Sequence, residues 1–309
     1  MSVTIILATY QGEKFLPAQL DSLARQTESD FQVLFQDDGS SDRTLSLLHE
    51  QSRKDSRFHT AAEHGRHLGA AGNFFSLLRQ AKGDYILLCD QDDIWESDKV
   101  ECLLHACIEA EGKDSSLPIL VHSDASVIDE NDRLLAPSFF ALEGWDPQAV
   151  NLNQLLVQNN ATGCMMLINR PLADLIISHG DPSTMFMHDW FFVLSAAAFG
   201  KVIFVNRPLT RYRQHGKNTI GASRASLWQR ALRALHEKDK ARARIALTYS
   251  HTQAFQQAYH DILPPPSAKV VEAYLETQAQ PKLKRILSLC RHGFLMQSPI
   301  TRFGQFLFG

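Results

Sequence analysis

An apolar run of strand length, Tyr85 to Cys89, ends abruptly at the acidic stretch Asp90-Gln91-Asp92-Asp93. The run is too short for a helix core and is typical of a buried strand. Carboxylates this close repel one another, so the fold must supply a counter-charge at the end of the strand. Mg²⁺ or Mn²⁺ suits such a site because these cations prefer oxygen ligands, and the sequence has no Cys/His cluster to attract zinc. The stretch therefore predicts a metal site beyond the carboxyl end of a strand.

An alternative interpretation of the same stretch needs no metal. Asp93 would cap a helix that begins near Glu96, while Asp90 and Asp92 would stay solvated near the positive end of the helix dipole. The acidic stretch alone does not decide between the two interpretations.

Two earlier apolar runs repeat the order of strand, polar turn and helix. The first, Val3 to Ala8, is followed by Thr9-Tyr10-Gln11-Gly12, and the second, Phe31 to Phe35, leads into Asp37-Asp38-Gly39-Ser40. This repetition predicts an α/β fold with a mostly parallel sheet, right-handed crossovers and flanking helices. Because the carboxyl ends of parallel strands meet at one edge, we expect the three polar strand ends to line one crevice.

A glycine-rich loop and a late basic segment add groups that suit a nucleoside diphosphate. Residues 64–73 contain three glycines and end at Asn73. Glycines let a backbone approach a ligand closely, although they serve a tight loop into the next helix equally well. Arg211, Arg213 and His215 can supply positive charge to a diphosphate, and a carboxylate after the second strand can accept hydrogen bonds from a base or a ribose.

The charge of the chain is unevenly distributed. The 309 residues carry a net charge of −3, but residues 1–222 hold 18 Lys and Arg against 29 Asp and Glu, and residues 223–309 hold 13 against 5. This shift predicts an acidic catalytic domain over residues 1–222 and a basic, helical C-terminal extension over residues 223–309. An anionic partner is expected for the extension alone, and no nucleic-acid partner is expected.

The last segment, Lys282 to Gly309, mixes basic residues with a heavy aliphatic and aromatic load. This composition is typical of an amphipathic segment that lies on a membrane surface. The alternative is that the segment packs against its own domain.

Cysteine use and hydropathy indicate the compartment. The five cysteines are odd in number and lack metal-ligand spacing, which favours a reducing environment. No signal peptide is recognised at the start of the sequence, and the longest apolar run, Trp190 to Phe199, is too short to cross a bilayer. We expect a cytoplasmic protein, peripheral on the inner face of the cytoplasmic membrane.

Five motifs together resemble family 2 glycosyltransferases, which have the GT-A fold. They are Val3 to Gln11, Gln36 to Asp42, Asp90-Gln91-Asp92, His188-Asp189-Trp190 and Arg213 to Asn218. The acidic motif followed by Ile94-Trp95 resembles the branch of bacterial rhamnosyltransferases, which act in the assembly of O-antigen and related polysaccharides. The resemblance covers about residues 1–220.

The resemblance implies roles on the donor side of the site. Tyr10 would stack near the base, Asp38 would hydrogen-bond it with Asp37 alongside, and Asp90 would reach the ribose or the donor sugar. With the basic segment, the predicted donor-binding set is Thr9, Tyr10, Gln11, Asp37, Asp38, Asn73, Asp90, Gln91, Arg211 and Arg213. Many relatives carry Asn where this chain has Gln11.

The resemblance also implies a metal site and a catalytic base. Asp92 matches the metal ligand of the family, His215 matches a late residue that touches the metal or the diphosphate, and Asp189 matches the general base. The acceptor side is assigned to Asp93, Trp95, Thr162, Gly163, His188 and Trp190. Several relatives carry Glu where this chain has His188.

These roles predict an inverting, metal-dependent transfer of a sugar, with dTDP-L-rhamnose or a UDP-sugar as donor and a glycan, free or lipid-linked, as acceptor. A carboxylate that deprotonates the attacking hydroxyl contributes ~10²–10⁴-fold. Asp189 has an alternative role as a helix N-cap, and the two roles can coexist. His122 and Asp124 are further candidates for acceptor contacts, with structural roles as the alternative.

Three other classes are weighed against the transferase. A phosphotransferase would carry its Asp-x-Asp after the first strand, whereas here it follows a later one. A nucleotidyltransferase usually has a glycine-rich, basic loop after its first strand, and Thr9 to Lys14 is a poor match. A catalytically inactive binding module is disfavoured because Asp92, Asp189 and His215 are all present.

Overall fold

The structure is a computed structural model that describes residues 1–62, 66–215 and 238–308. The strands are β1 Val3–Thr9, β2 Phe31–Asp37, β3 Phe58–Thr60, β4 Tyr85–Asp90, β5 Ile94–Trp95, β6 Ile119–Ile128, β7 Leu134–Ala136, β8 Met166–Asn169 and β9 Lys201–Arg213. The helices are α1 Leu16–Ala24, α2 Thr44–Lys54, α3 Gly69–Gln80, α4 Lys99–Glu111, α5 Phe139–Glu143, α6 Leu152–Leu155, α7 Arg170–His179, α8 His188–Phe199, α9 Lys238–Tyr259, α10 Pro265–Thr277, α11 Lys282–His292 and α12 Pro299–Phe308, with a short 3-10 helix at Gly163–Met165.

One sheet forms the centre of the fold, in the order β3-β2-β1-β4-β8-β6-β9-β5, with β7 paired to β6. The strands from β3 to β4 are parallel, whereas β8 runs antiparallel to both of its neighbours. The predicted α/β class and mostly parallel first half are confirmed. In the second half, β6 and β9 are again parallel to each other.

The register brings the polar strand ends together as predicted. Thr9 lies opposite Asp37, and Ala8 lies opposite Asp90. The apolar residues of β1 and β4 are buried because helices cover both faces of this part of the sheet. The edge that carries Thr9, Asp37 and Asp90 is therefore left as the polar rim of a crevice.

Ser123 and Asp124 lie within the single strand β6, and the register of β6 with β9 shifts at these two residues. The Asp124 carboxylate accepts hydrogen bonds from the N–H groups of Phe139 and Phe140 and from the Ser138 hydroxyl, so it holds the start of α5. His122 is buried against Phe140 and Phe204.

The described part of the C-terminal extension packs on the helix that carries Asp189. Phe255 and Tyr259 of α9 contact Phe191 of α8, and the hydroxyls of Tyr259 and Ser195 are 2.9 Å apart. Buried residues of α9, α10 and α11 belong to the same hydrophobic core as α3 and α8. The boundary predicted at residues 222 and 223 lies outside the described residues.

Among the described residues, no helix combines the length and the apolar character needed to cross a bilayer.

Candidate active site

The loop after β1 is tied to the acidic turn after β4. The side-chain amide of Gln91 accepts a hydrogen bond from the N–H of Tyr10 and donates one to its carbonyl, each at 2.8 Å. A Cβ atom on Gly12 would lie 2.1 Å from the Gln91 oxygen, so this close approach requires glycine. Gln11 has φ +51° and donates its backbone N–H to Ser40. Gln91, which was predicted to bind the donor, holds Tyr10 in place.

Asp37 and Asp38, both predicted to bind the donor, are engaged within the protein. Asp37 accepts hydrogen bonds from the Thr9 hydroxyl at 2.9 Å and from the Ser40 N–H at 2.7 Å. Asp38 is buried, and its two carboxylate oxygens accept the N–H groups of Leu68 and Gly69 at the start of α3, each at 2.7 Å. The position of Asp38 is thus fixed by the N-terminus of a helix, where an anionic group is favoured.

Next to Asp38, an exposed Tyr10 ring contacts the His67 ring at 4.8 Å between centroids. His67 also lies 2.9 Å from the Asp38 carboxylate. Asn73 is buried in α3, donates to the Gln36 carbonyl at 3.2 Å and has a carbonyl oxygen without a protein partner. Of the predicted glycine-rich loop, residues 64 and 65 lie outside the described residues.

The acidic turn places its two predicted metal-binding residues in contact. Asp92 Oδ2 and His215 Nε2 are 2.7 Å apart. The His215 ring stacks on Phe15 with centroids 5.0 Å apart and an interplanar angle of 23°. Residues 216–218 of the predicted basic segment lie outside the described residues.

The two arginines of the basic segment are held by acidic groups and backbone carbonyls. Arg211 pairs with Glu96, with Nε and Oε1 2.8 Å apart. The buried Arg213 guanidinium donates to the Asp92 carbonyl at 2.7 Å and pairs with Asp132, and the Arg213 backbone N–H donates to Asp93 Oδ1 at 3.0 Å. Arg213 therefore stabilises the acidic turn through its hydrogen bonds to Asp92 and Asp93.

A buried lysine behind the acidic turn was missed by the sequence analysis. Lys99 donates to the carbonyl of Cys164 and to the Thr210 hydroxyl, and its ammonium lies 3.6 Å from the centre of the Trp95 ring. Burial lowers the pKa of Lys99 to about 8. A lysine at the start of a helix is ordinary in sequence, so no local signal could have shown that the 3-10 helix and β9 would supply its partners.

The carboxyls of the site perturb one another. Burial raises the pKa of Asp90 well above its usual value, and the charges of Asp92, Asp93 and Asp189 raise it further. Burial and the Asp92 charge raise the pKa of Asp93 to about 7. Such repulsion indicates a site that is completed by positive charge.

Asp189, the predicted base, lies in the first turn of α8 and is 2% exposed. Its Oδ1 accepts the N–H of Trp190 at 2.6 Å, and its Oδ2 accepts the N–H of Gly163 at 3.2 Å. Burial raises the pKa of Asp189 to about 6, against the opposing effect of these hydrogen bonds and one from Asn159. The N-cap of α8 is Met187, so the alternative role of Asp189 as a helix N-cap is wrong: Asp189 is the second residue of the helix. The raised pKa of Asp189 is of the kind expected of a base near neutral pH.

The residues predicted for the acceptor side divide into two groups. Gly163 and His188 adjoin Asp189: a Cβ atom on Gly163 would lie 3.1 Å from His188 Nε2, and both ring nitrogens of His188 are buried without a protein partner. Thr162 begins the 3-10 helix before Gly163. Trp95 and Trp190 are buried, the first against Lys99 and the second with its indole N–H donated to the Leu155 carbonyl at 2.7 Å.

The side-chain atoms that could ligate a metal at this site suit Mg²⁺ or Mn²⁺ only in part. Ligand atoms of Asp90, Asp93 and Cys164 lie within 4.8 Å of one another. Asp93 Oδ2 is buried without a protein partner, as expected of an oxygen that awaits a ligand. Burial raises the pKa of Cys164 well above its usual value, so the sulfur stays protonated and is a poor ligand for Mg²⁺ or Mn²⁺.

The family follows from a match to more than half of the chain. The sequence profile of the family described as Glycosyl transferase family 2 matches residues 4–176, a range that contains β1 to β8 and the acidic turn. The chain belongs to glycosyl transferase family 2. It is therefore a glycosyltransferase that uses a nucleotide-sugar donor, and the predicted resemblance is confirmed.

Relatives of this family 2 glycosyltransferase include two bacterial enzymes. The dTDP-rhamnosyl transferase RfbG of Shigella flexneri is 27% identical over 227 residues, which cover 70% of this chain and 74% of the relative. WfgD of Escherichia coli, a UDP-Glc:alpha-D-GlcNAc-diphosphoundecaprenol beta-1,3-glucosyltransferase, is 29% identical over 167 residues, which cover 54% of this chain and 59% of the relative.

Solved structures support the GT-A fold. Residues 1–349 of TarS from S. aureus match with a TM-score of 0.56 at 16% identity, covering 99% of this chain and 90% of that chain. The mannosyltransferase PcManGT from Pyrobaculum calidifontis, solved in complex with GDP-Man and Mn2+, matches with a TM-score of 0.51 at 17% identity, covering 99% and 84%. This family 2 enzyme thus has a GT-A fold with additional C-terminal helices.

Proposed function

We propose that this chain is an inverting, metal-dependent rhamnosyltransferase that moves L-rhamnose from dTDP-L-rhamnose to a hydroxyl group of a lipid-linked glycan in polysaccharide assembly. The observation that carries the proposal is the buried Asp189 carboxyl, which adjoins Gly163 and lies near enough to Asp90 to raise the pKa of that carboxyl. An enzyme that deprotonates an acceptor hydroxyl needs a base so placed and with a pKa near the working pH.

The choice of rhamnose rests on the relationship to RfbG, a dTDP-rhamnosyl transferase. The lipid-linked acceptor rests on WfgD, whose acceptor is a GlcNAc-diphosphoundecaprenol. A UDP-sugar donor is the second candidate, because WfgD uses UDP-Glc and TarS has been solved with UDP-GlcNAc.

In the proposed reaction, Asp189 takes the proton of the acceptor hydroxyl as its oxygen attacks the anomeric carbon and the nucleoside diphosphate leaves from the opposite face. One displacement inverts the configuration at that carbon. The hydrogen bonds from Trp190 and Gly163 hold the carboxylate in one orientation, which lowers the entropic cost of the attack.

We assign the divalent cation, Mg²⁺ or Mn²⁺, to Asp92 and His215. Asp90 and Asp93 add negative charge, and Asp93 Oδ2, which has no hydrogen-bond partner in the protein, offers a further ligand atom. When bound, the cation stabilises the charge that develops on the leaving diphosphate. Ligation by Asp92 and His215 replaces the hydrogen bond that joins them in this structure.

Donor choice and metal dependence are tested by incubating the full chain with dTDP-rhamnose, UDP-Glc and UDP-GlcNAc, with and without Mn²⁺, and measuring the release of nucleoside diphosphate. We expect release from dTDP-rhamnose only, and only with metal. Asp189→Asn should keep the thermal shift caused by donor and lose transfer by about a hundredfold or more.

Release from UDP-sugars alone would replace rhamnose by the second candidate. Release without metal would overturn the metal assignment. If no donor were hydrolysed or caused a thermal shift, the chain would be a binding module or a nucleotidyltransferase instead.

We also propose that the enzyme works at the inner face of the cytoplasmic membrane, where a lipid-linked acceptor would be found, with the C-terminal segment as its attachment.

A further inference from the structure

The last two helices expose an unusual amount of apolar surface. Ten large hydrophobic side chains are exposed among the described residues, and four of them lie in α11 and α12. They are Leu283 (80% exposed), Leu287 (71%), Phe303 (61%) and Leu307 (40%). These four residues are called here the C-terminal apolar face.

The four side chains form two pairs, one on each helix. Leu283 and Leu287 are four residues apart on α11, and Phe303 and Leu307 are four apart on α12, so each pair lies on one side of its helix. The Lys282 ammonium donates to the Leu307 carbonyl at 2.9 Å, which brings the start of α11 to the end of α12. This hydrogen bond joins the two helices that carry the two pairs.

The other sides of the same helices are anchored in the protein. Leu289 of α11 belongs to the main hydrophobic core, as do Phe294 and Met296 between the two helices, and Gln305 of α12 donates to the Phe294 carbonyl at 2.9 Å. The inward side of each helix is thus satisfied by the protein itself. The C-terminal apolar face has a defined outward orientation and is not a loosely attached tail.

The charge around this face has one sign. From Lys282 to Phe308 the chain carries no Asp or Glu, and its five cationic residues are Lys282, Lys284, Arg285, Arg291 and Arg302. Lys282, Lys284 and Arg291 are exposed. An apolar face on a segment whose Lys and Arg residues have no acidic residue among them is complementary to a bilayer whose headgroups are anionic.

We propose that the C-terminal apolar face docks this enzyme on an anionic lipid surface, with Leu283, Leu287, Phe303 and Leu307 inserted at the level of the headgroups. This proposal deepens the proposed function, on which its purpose rests: it names the residues that meet the lipid. A second copy of this chain would place two basic segments against each other, so we favour lipid.

The docking surface is joined to the acceptor side of the active site. Asn153 donates to the His292 carbonyl at 2.7 Å, and the Gln297 amide donates to Asn160 at 3.2 Å. Asn160 lies two residues before Thr162 and Gly163, and Gly163 donates its N–H to Asp189. A bilayer bound to α11 and α12 would thus be connected, through these hydrogen bonds, to the segment that contacts Asp189, the proposed base.

The test is flotation of the full chain with vesicles of phosphatidylcholine, with and without about 30% phosphatidylglycerol. We expect binding to the anionic vesicles that weakens in about 0.5 M NaCl, since salt screens the attraction of the basic segment. Leu283→Ser with Leu287→Ser should reduce the partition coefficient about tenfold or more.

The matched control removes two exposed hydrophobic residues elsewhere. Leu134→Ser with Ile262→Ser changes side chains that are 63% and 43% exposed and lie outside the basic segment, and it should bind vesicles as the unmodified chain does. Lys284→Glu with Arg291→Glu keeps the apolar face and should abolish the preference for anionic vesicles.

The proposal is overturned if the unmodified chain stays unbound, or if Leu283→Ser with Leu287→Ser floats as well as the control. It is also overturned if that variant converts a dimer into a monomer in sedimentation while vesicle binding is unchanged, because the face would then join two copies. Donor hydrolysis without vesicles reports on the proposed function separately. Its persistence in a variant that no longer binds vesicles leaves the enzymatic proposal standing.

Discussion

At the scale of single residues, Asp189 combines a structural and a chemical property. Its two oxygens accept backbone N–H groups, which stabilise the charged form, yet burial outweighs them and raises the pKa of Asp189 to about 6. A carboxyl in this range is ionised at neutral pH and more basic than an exposed aspartate. Its strength as a base is thus set by its burial in the first turn of α8.

This pKa predicts the acid limb of the pH profile. Asp189 accepts a proton only when ionised, so kcat/KM should fall by about tenfold between pH 7 and pH 5 as the carboxyl becomes protonated. The measurement is kcat/KM against pH at saturating Mn²⁺. A profile that stays flat to pH 5 would contradict the assignment of Asp189 as the base.

The residues also show what a sequence can and cannot predict about the site. The motifs indicated which side chains gather at the sheet edge, because parallel strand ends meet there, and Thr9, Asp37 and Asp90 do so. The motifs could not indicate which of these side-chain atoms form hydrogen bonds within the protein. Both carboxylate oxygens of Asp38 accept hydrogen bonds at the start of α3, and Lys99 is held behind the acidic turn by Thr210 of the distant strand β9.

At the scale of elements, strand β9 acts on the acidic turn through its last residue. β9 pairs with β6 along its length and with β5 near its end. From that end, Arg213 holds the Asp92 carbonyl and the Asp93 carboxylate, and its guanidinium lies 4.8 Å from the centre of the Phe15 ring. Phe15 in turn stacks on His215, so one strand and one ring orient both predicted metal ligands.

Arg213→Met should therefore impair the site more than the fold. Loss of the guanidinium leaves the Asp92 carbonyl without this partner and removes one of the two cations over the Phe15 ring, the other being Lys14. We therefore expect Mn²⁺ affinity and kcat/KM each to fall about tenfold. Isothermal titration with Mn²⁺ and donor hydrolysis measure the two effects.

The matched control for this variant is Arg57→Met. Arg57 also lies over a phenylalanine, Phe31, at 4.6 Å and pairs with an aspartate, Asp55, at 2.7 Å, but it is remote from the acidic turn. Equal losses in the two variants would show that Arg213 contributes general stability alone.

At the scale of the whole molecule, the C-terminal extension and the catalytic part share one hydrophobic core. The change of charge near residue 222 indicated a boundary between a domain and a helical extension, and composition alone could not show how the two parts pack together. The interior joins the two parts, since Phe255 and Tyr259 pack on Phe191 of the helix that carries Asp189.

A chain ending at residue 222 should therefore lack a cooperative unfolding transition. In the full chain, Phe255→Ala should shift one shared transition, at a cost of about 3–5 kcal/mol, because it leaves a cavity in the common core. Urea unfolding followed by circular dichroism measures both. If residues 1–222 unfolded cooperatively and hydrolysed donor, the extension would be an independent domain.

We expect the Gln91 amide, which bonds both the N–H and the carbonyl of Tyr10, to couple nucleotide binding at Tyr10 to cation binding at the turn that carries Asp92. A nucleotide that repositions Tyr10 would also move that turn. Linked equilibria are reciprocal, so the factor by which the cation strengthens nucleotide binding equals the factor by which the nucleotide strengthens cation binding. We expect the empty enzyme to hold either one weakly and to retain them as a pair.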